Sequence, residues 1–219
     1  MRRSSAPWNR ANNARSRNAQ ANNPSVPGCA DAHNVVGLLE RSVDPPRRKQ
    51  RVTPNEAHII HESEPVFDAE SRVLMLGTMP SPKSREQGFY YGHPQNRFWK
   101  VLAAVFDAEV PQTIPEKKQL LLTHHIALWD VLASCTIAGA SDASIRNPKP
   151  NDIARLCAAA PIEQIFCTGA KATQLYRKLC EPITHIPCEQ LPSTSPANAA
   201  MKLPDLVEAY RAALLPFLG

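Results

Sequence analysis

Between Gly77 and Trp99 the chain reads GTMPSPKSREQGFYYGHPQNRFW, which sets Phe89, Tyr90, Tyr91, His93, Asn96, Phe98 and Trp99 within eleven positions. Aromatic residues make up only 6% of the whole sequence, so this stretch is enriched several-fold. Flat rings beside a carboxamide and an imidazole suit a pocket that grips a planar ligand and aims a few polar atoms at it. The Gly77-Thr78-Met79-Pro80-Ser81 turn follows the apolar run VLML (73–76), as when a buried strand delivers a loop to a site. Gly77 permits close approach and Pro80 fixes the backbone.

A second segment, LPSTSPANA (Leu191 to Ala199), lies about a hundred residues downstream. The two together resemble motifs 1 and 2 of the uracil-DNA glycosylase superfamily, most closely the branch that removes hypoxanthine (deoxyinosine) from DNA. The resemblance covers roughly residues 60–219. It implies a monofunctional glycosylase that flips a deaminated base out of double-stranded DNA and hydrolyses its glycosidic bond without metal or cofactor. An activity directed at uracil or mismatches, and a silent domain that binds damaged DNA, are the alternatives.

By that resemblance Tyr91 stacks on the flipped base, and Asn96 of the HPxNRFW segment is the catalytic residue. The Asn96 carboxamide offers an acceptor and two donors, able to hold a purine edge or orient water, and it could also cap the helix that follows. His93 either donates to base or sugar or serves the structure. Phe89 and Tyr90 are pocket wall or scaffold, and Phe98 and Trp99 anchor their helix in the core. Thr78, Met79, Pro80 and Ser81 complete the base pocket, with amides near Ser81 available to a base or phosphate. Relatives that excise uracil often carry Asn or Asp where this chain has Met79, and Met cannot orient water; this favours the hypoxanthine branch. In motif 2, Ser193, Thr194 and Ser195 are expected on flanking phosphates, and Pro196, Ala197 and Asn198 at a tip that fills the vacated space. Lys171 opens a helix and is a further phosphate contact. Asp142, Arg146 and Asn147 either reach the pocket rim or serve the structure.

The elements that must position these residues alternate. Strands are expected at 72–77, 126–132, 164–169 and 184–188, and helices at 97–107, 115–125, 151–160, 170–180 and 204–218, with Asn151 as an N-cap. Such alternation implies an α/β fold: a three-layer α/β/α domain with a mostly parallel four-stranded central sheet. Ligands bind beyond the carboxyl ends of such strands, where both motifs fall.

Composition bounds the rest. The net charge of +5 is uneven, because residues 1–60 hold ten Lys/Arg against four Asp/Glu and residues 61–219 hold fifteen against sixteen. Residues 1–60 therefore read as a basic tail and linker: a disordered arm, a transit peptide or the product of an over-extended start site. The catalytic domain is assigned to 61–219. No apolar run approaches the roughly 20 residues of a membrane span. The six cysteines (29, 135, 157, 167, 180, 188) include no CxxC pair, so they read as free thiols rather than metal ligands. A monomer inside the cell is expected, in cytoplasm, nucleoid or nucleus, with organelle import left open.

Overall fold

The computed structural model describes residues 56 to 218, Ala140 excepted. The expectations about the basic arm before residue 56 lie outside the described residues.

The described chain begins with β1 (Glu56–Ile60) and continues to β2 (Val73–Gly77), whose five residues are all buried. A short helix, α1 (Pro82–Gln87), is capped by the Ser81 hydroxyl and stopped by Gly88 in the left-handed region, φ 66°. Next come α2 (Phe98–Val105) and α3 (Ile114–Thr123), the latter opened by a Thr113/Glu116 capping box with Pro115 in its first turn. The strands β3 (Ile126–Asp130), β4 (Leu132–Ala138) and β5 (Arg146–Pro150) follow in close succession. Then come α4 (Ile153–Ala159), β6 (Gln164–Thr168), α5 (Ala170–Leu179), α6 (Glu181–Thr184), β7 (Cys188–Leu191) and α7 (Leu203–Leu218).

The central sheet is parallel throughout, in the order β3-β2-β6-β7. Side-chain alternation along β2 splits the core into two layers. Val73 and Met75 face α2 and α7 with Phe98, Leu102, Phe166 and Tyr210, while Leu74 and Leu76 face α4 and α5 with Leu156, Leu175 and Tyr176. Each such fully buried aliphatic side chain is worth about 1.5–3 kcal/mol, so both layers hold β2 in place. The expected three-layer α/β/α domain is therefore the fold. Its register sets Gly77 beside Asp130 and Thr168 beside Leu191, gathering four strand ends along one edge.

Five local readings differ. The run 126–132 is not one strand: it breaks at Val131, and the chain re-enters as β4 in a second, antiparallel sheet of order β1-β4-β5. With two prolines and mostly exposed residues, β5 (RNPKP) resembles a loop; an edge strand tolerates Pro because it needs only one ladder. The segment 56–60, assigned to the linker, is β1 and pairs residue by residue with β4. The last strand lies at 188–191 rather than 184–188, because α6 occupies 181–184. Asp152, not Asn151, caps α4, and the Asn151 amide instead donates to the Asp130 carbonyl at 2.9 Å. Among the described residues no helix is long and apolar enough to cross a membrane. The five described cysteines are free, and all but Cys157 are buried.

Candidate active site

A cavity of roughly 360 Å³ opens at the carboxyl edge of the parallel sheet, within the range of small-ligand sites. The turn Gly77–Ser81 forms one wall, and Tyr90, Tyr91, His93 and Asn96 form a second. The motif-2 residues Ser193 to Ala197 close a third side. Segments a hundred residues apart thus meet around one space.

Asn96 joins them. Its Oδ1 accepts from the Phe98 amide at 2.9 Å and from the Thr194 hydroxyl at 2.9 Å. Two donors on one atom settle which end of the carboxamide is oxygen, and the Nδ2 amino group has no hydrogen bond among the described residues. Asn96 therefore braces the entry to α2 from one residue before its N-cap, Arg97, rather than as the cap itself, while keeping two N–H donors for the cavity. Arg97 completes the joint. Its guanidinium donates to the carbonyls of Ser195 at 2.9 Å and Asn198 at 2.8 Å and also to Met201, and its amide donates to the Thr194 carbonyl at 3.1 Å.

Tyr91 lies flat on Phe98, with ring centroids 3.8 Å apart and planes 13° from parallel. Its hydroxyl donates to Thr168 Oγ1 at 2.9 Å, since Thr168 spends its own proton on the Leu76 carbonyl at 3.2 Å. The backbone sits in the left-handed region at φ 51°, a conformation that costs a residue with a Cβ about 1 kcal/mol or more and is held here by the surrounding bonds. Burial, reinforced by the Asp130 charge, pushes the phenol well above its ordinary range, so the ring stays neutral.

Two carboxyl groups line the same cavity. Asp130 ends β3 with its Oδ2 2.8 Å from His61 Nε2, in a pair whose side chains are 7% and 0% exposed. Asp142 accepts from the Thr78 hydroxyl at 3.3 Å. The residue is exposed overall, yet partial desolvation of its carboxyl raises its pKa, and the Thr78 hydrogen bond and then the nearby Lys171 charge oppose the rise. The profile of the Uracil DNA glycosylase superfamily matches residues 64–216 of this sequence.

The chain belongs to that superfamily.

It is 31% identical over 134 residues to a protein of Methanosarcina acetivorans named hypoxanthine DNA glycosylase, a match covering 61% of this chain and 84% of the relative. A Methanosarcina barkeri protein of the same name is 32% identical over 111 residues, covering 49% and 70%. The fold matches the solution NMR structure of a candidate uracil DNA glycosylase from Methanosarcina acetivorans with a TM-score of 0.60 at 26% identity, over 70% of this chain and 97% of the other.

Within this superfamily member several expected site residues occupy other places. Phe89 lies outside the cavity, packed edge-on to Tyr90 and against Trp99, so it is scaffold. Tyr90 reaches the wall but anchors its hydroxyl on the Glu64 carbonyl at 2.8 Å. Thr194 is 1% exposed and spends its hydroxyl on Asn96, which removes it from the expected phosphate contacts. Asn198 ties its amide back to the Ser193 carbonyl at 2.9 Å and does not line the cavity. Lys171 stands outside the lining as well. His93 is at the rim, where its Nδ1 accepts the Gln95 amide at 3.2 Å and leaves Nε2 as a donor. Met79, Pro80 and Ser81 line the cavity as expected, and Pro196 and Ala197 form an exposed tip. Asp130, His61 and Thr168 escaped the sequence reading. Asp130 had one signal, a charge at the carboxyl end of an apolar strand; His61 had none.

Proposed function

We propose that this protein is a monofunctional DNA glycosylase that hydrolyses the N-glycosidic bond of deoxyinosine in double-stranded DNA, releasing hypoxanthine and leaving an abasic site. The names of both Methanosarcina relatives support the substrate. The observation that carries the reading is Asn96, whose oxygen is tied to both motifs while its amino group stays free at the cavity. A base that departs with developing negative charge is stabilised by a donor already fixed in place, because nothing need reorganise in the transition state.

The remaining parts fit the same chemistry. Tyr91, backed by Phe98, offers a flat face to an extruded base; such stacking is worth about 1–3 kcal/mol. The exposed Pro196-Ala197 tip suits insertion into the space the base leaves. Among the described residues no lysine lines the cavity, which favours hydrolysis by water over attack through a Schiff base. The carboxyl groups of Asp142 and Asp130 line the cavity, which supports a part for them in orienting that water. Labelled duplexes containing inosine, xanthine or uracil, incubated with the protein and then cleaved at abasic sites with alkali, test the proposal. Strand scission at inosine well above that at uracil is expected, and no scission at any of the three would overturn it.

A further inference from the structure

Hydrolysis needs a water at C1′ of the sugar, and the cavity offers few atoms to hold one. Met79 brings only a thioether, too weak an acceptor for the task. The hydroxyls of Ser81, Ser193 and Ser195 each already accept a backbone amide. Two carboxylate oxygens of the lining remain without a hydrogen bond among the described residues, Oδ1 of Asp130 and Oδ1 of Asp142. They lie at different depths. Asp130 is 5% exposed, and its Oδ1 sits close beside Gly77 at the strand ends, on the cavity floor. Asp142 is exposed and opens the single turn Asp142–Ser144 between β4 and β5. A flipped base enters such a cavity ahead of its sugar, which stays tethered to the strand outside. The floor therefore meets the base, and the mouth meets C1′.

We propose that Asp142 is the catalytic base of this site, holding the attacking water at the cavity mouth and taking its proton. The proposal rests on the glycosylase reading above and deepens it. Thr78 Oγ1 donates to Asp142 Oδ2 at 3.3 Å, which ties one oxygen to the turn that walls the cavity and leaves the other for water. As the C1′–N9 bond breaks, its electron pair departs with the purine, toward the unengaged amino group of Asn96. The water oxygen bonds to C1′. One water proton passes to Asp142 and from there, through solvent, to the released hypoxanthine. The negative carboxylate also stabilises the cationic sugar, and its exposed position gives water a way in and the proton a way out. Desolvation beside Thr78 strengthens the carboxylate as a base, while the Thr78 bond and the Lys171 charge favour its ionised form. The base thus comes from the connection between β4 and β5 in the second sheet, and the donor from the loop before α2.

Asp142→Asn keeps an oxygen for Thr78 and the shape of the turn but removes the base, whereas Asp142→Glu keeps a carboxylate and disturbs the shape. The experiment compares single-turnover hypoxanthine release from deoxyinosine duplexes, with duplex affinity and melting temperature measured for each variant. A base predicts that rates fall in the order Asp, Glu, Asn, with Asp142→Asn slower than wild type by about 10² or more. Its affinity should be unchanged or tighter, since a negative charge near the phosphates is lost. A merely structural role predicts that Asn outperforms Glu; that order, or Asp142→Asn at the wild-type rate, overturns the proposal. If Asp142→Asn does not fold, Asp142→Ala decides: added formate should restore part of its rate, and a rate indifferent to formate overturns the proposal. A wild-type protein inert on inosine, xanthine and uracil alike would overturn the glycosylase reading itself, and this inference with it.

Discussion

The Thr194 hydroxyl donates to Asn96 Oδ1 at 2.9 Å, joining residues 98 positions apart at the meeting point of the two motifs. Thr194 is nearly inaccessible to solvent, so this bond sits in a low-dielectric setting where it orients strongly and is costly to break. It turns two loops into one wall, and it decides which end of the Asn96 amide faces the ligand.

Removing that amide should cost most of the rate. Asn96→Ala is expected to lower single-turnover hypoxanthine release by roughly 10²–10³, the usual effect of deleting one preorganised donor. Thr194→Val keeps the volume and leaves Asn96 free to rotate, so a smaller loss of about tenfold is expected, with the fold intact by circular dichroism. A Thr194→Val protein at full activity would show that the bond does not orient Asn96.

Arg97 makes a different kind of prediction. Its guanidinium donates to the backbone of Ser195, Asn198 and Met201, so it shapes the motif-2 loop rather than touching a ligand. Arg97→Lys retains the charge but not the planar fork. Both Arg97→Lys and Arg97→Ala should therefore speed amide exchange at Ser195–Asn198 and weaken duplex binding. Rescue by lysine would mean that charge, not geometry, is what the loop needs.

Asp142 predicts a pH dependence with a definite sign. Asp142 is exposed as a residue, but desolvation of its carboxyl beside Thr78 raises the folded-state pKa above the ordinary value near 3.8, a rise that solvent screening moderates. The folded state then holds its proton more tightly than the unfolded chain, so stability falls as pH rises through the interval between those two pKa values. Asp142→Asn, which keeps an oxygen for Thr78, should flatten this descent in urea midpoints measured from acid to neutral pH. An unchanged slope would mean that other carboxyl groups dominate.

The basic segment predicts a salt effect. Residues 1–55 hold ten Lys/Arg against three Asp/Glu, a net of +7, and residues 56–219 hold fifteen against seventeen. A truncation should start no later than Glu56, because β1 pairs along its whole length with β4. On undamaged duplex the full chain is expected to show a steeper fall of log affinity with log salt than the truncated one, by about 0.9 for each phosphate neutralised. Parallel slopes would show that the segment does not engage DNA.

Most of the parallel sheet was legible in the sequence because β2, β3 and β6 are largely apolar runs between helices, a pattern that burial on two faces imposes locally, whereas the edge strand β7 (CEQL) exposes its two central residues and was misplaced. The two motifs were legible for a similar reason: rings, glycine and proline announce a pocket through residue type alone. The second sheet was not, because β5 carries the polar residues and prolines of a loop, and its pairing with β4 depends on nothing within five residues of it. The burial of Thr194 and the choice between wall and scaffold for Phe89 were hidden likewise, since neighbours along the chain do not decide which side of a loop faces solvent. Asp130 shows the division most plainly. Its place at a strand end is written in the IALWD run, but its partner His61 lies 69 residues away and the glycine that clears its oxygen lies on the next strand. Local sequence determined which elements form and which residue types line the site. Only the packed sheet decided which hydrogen-bonding atoms are consumed by the fold and which remain free for a ligand, because that depends on partners brought together by burial across the whole chain.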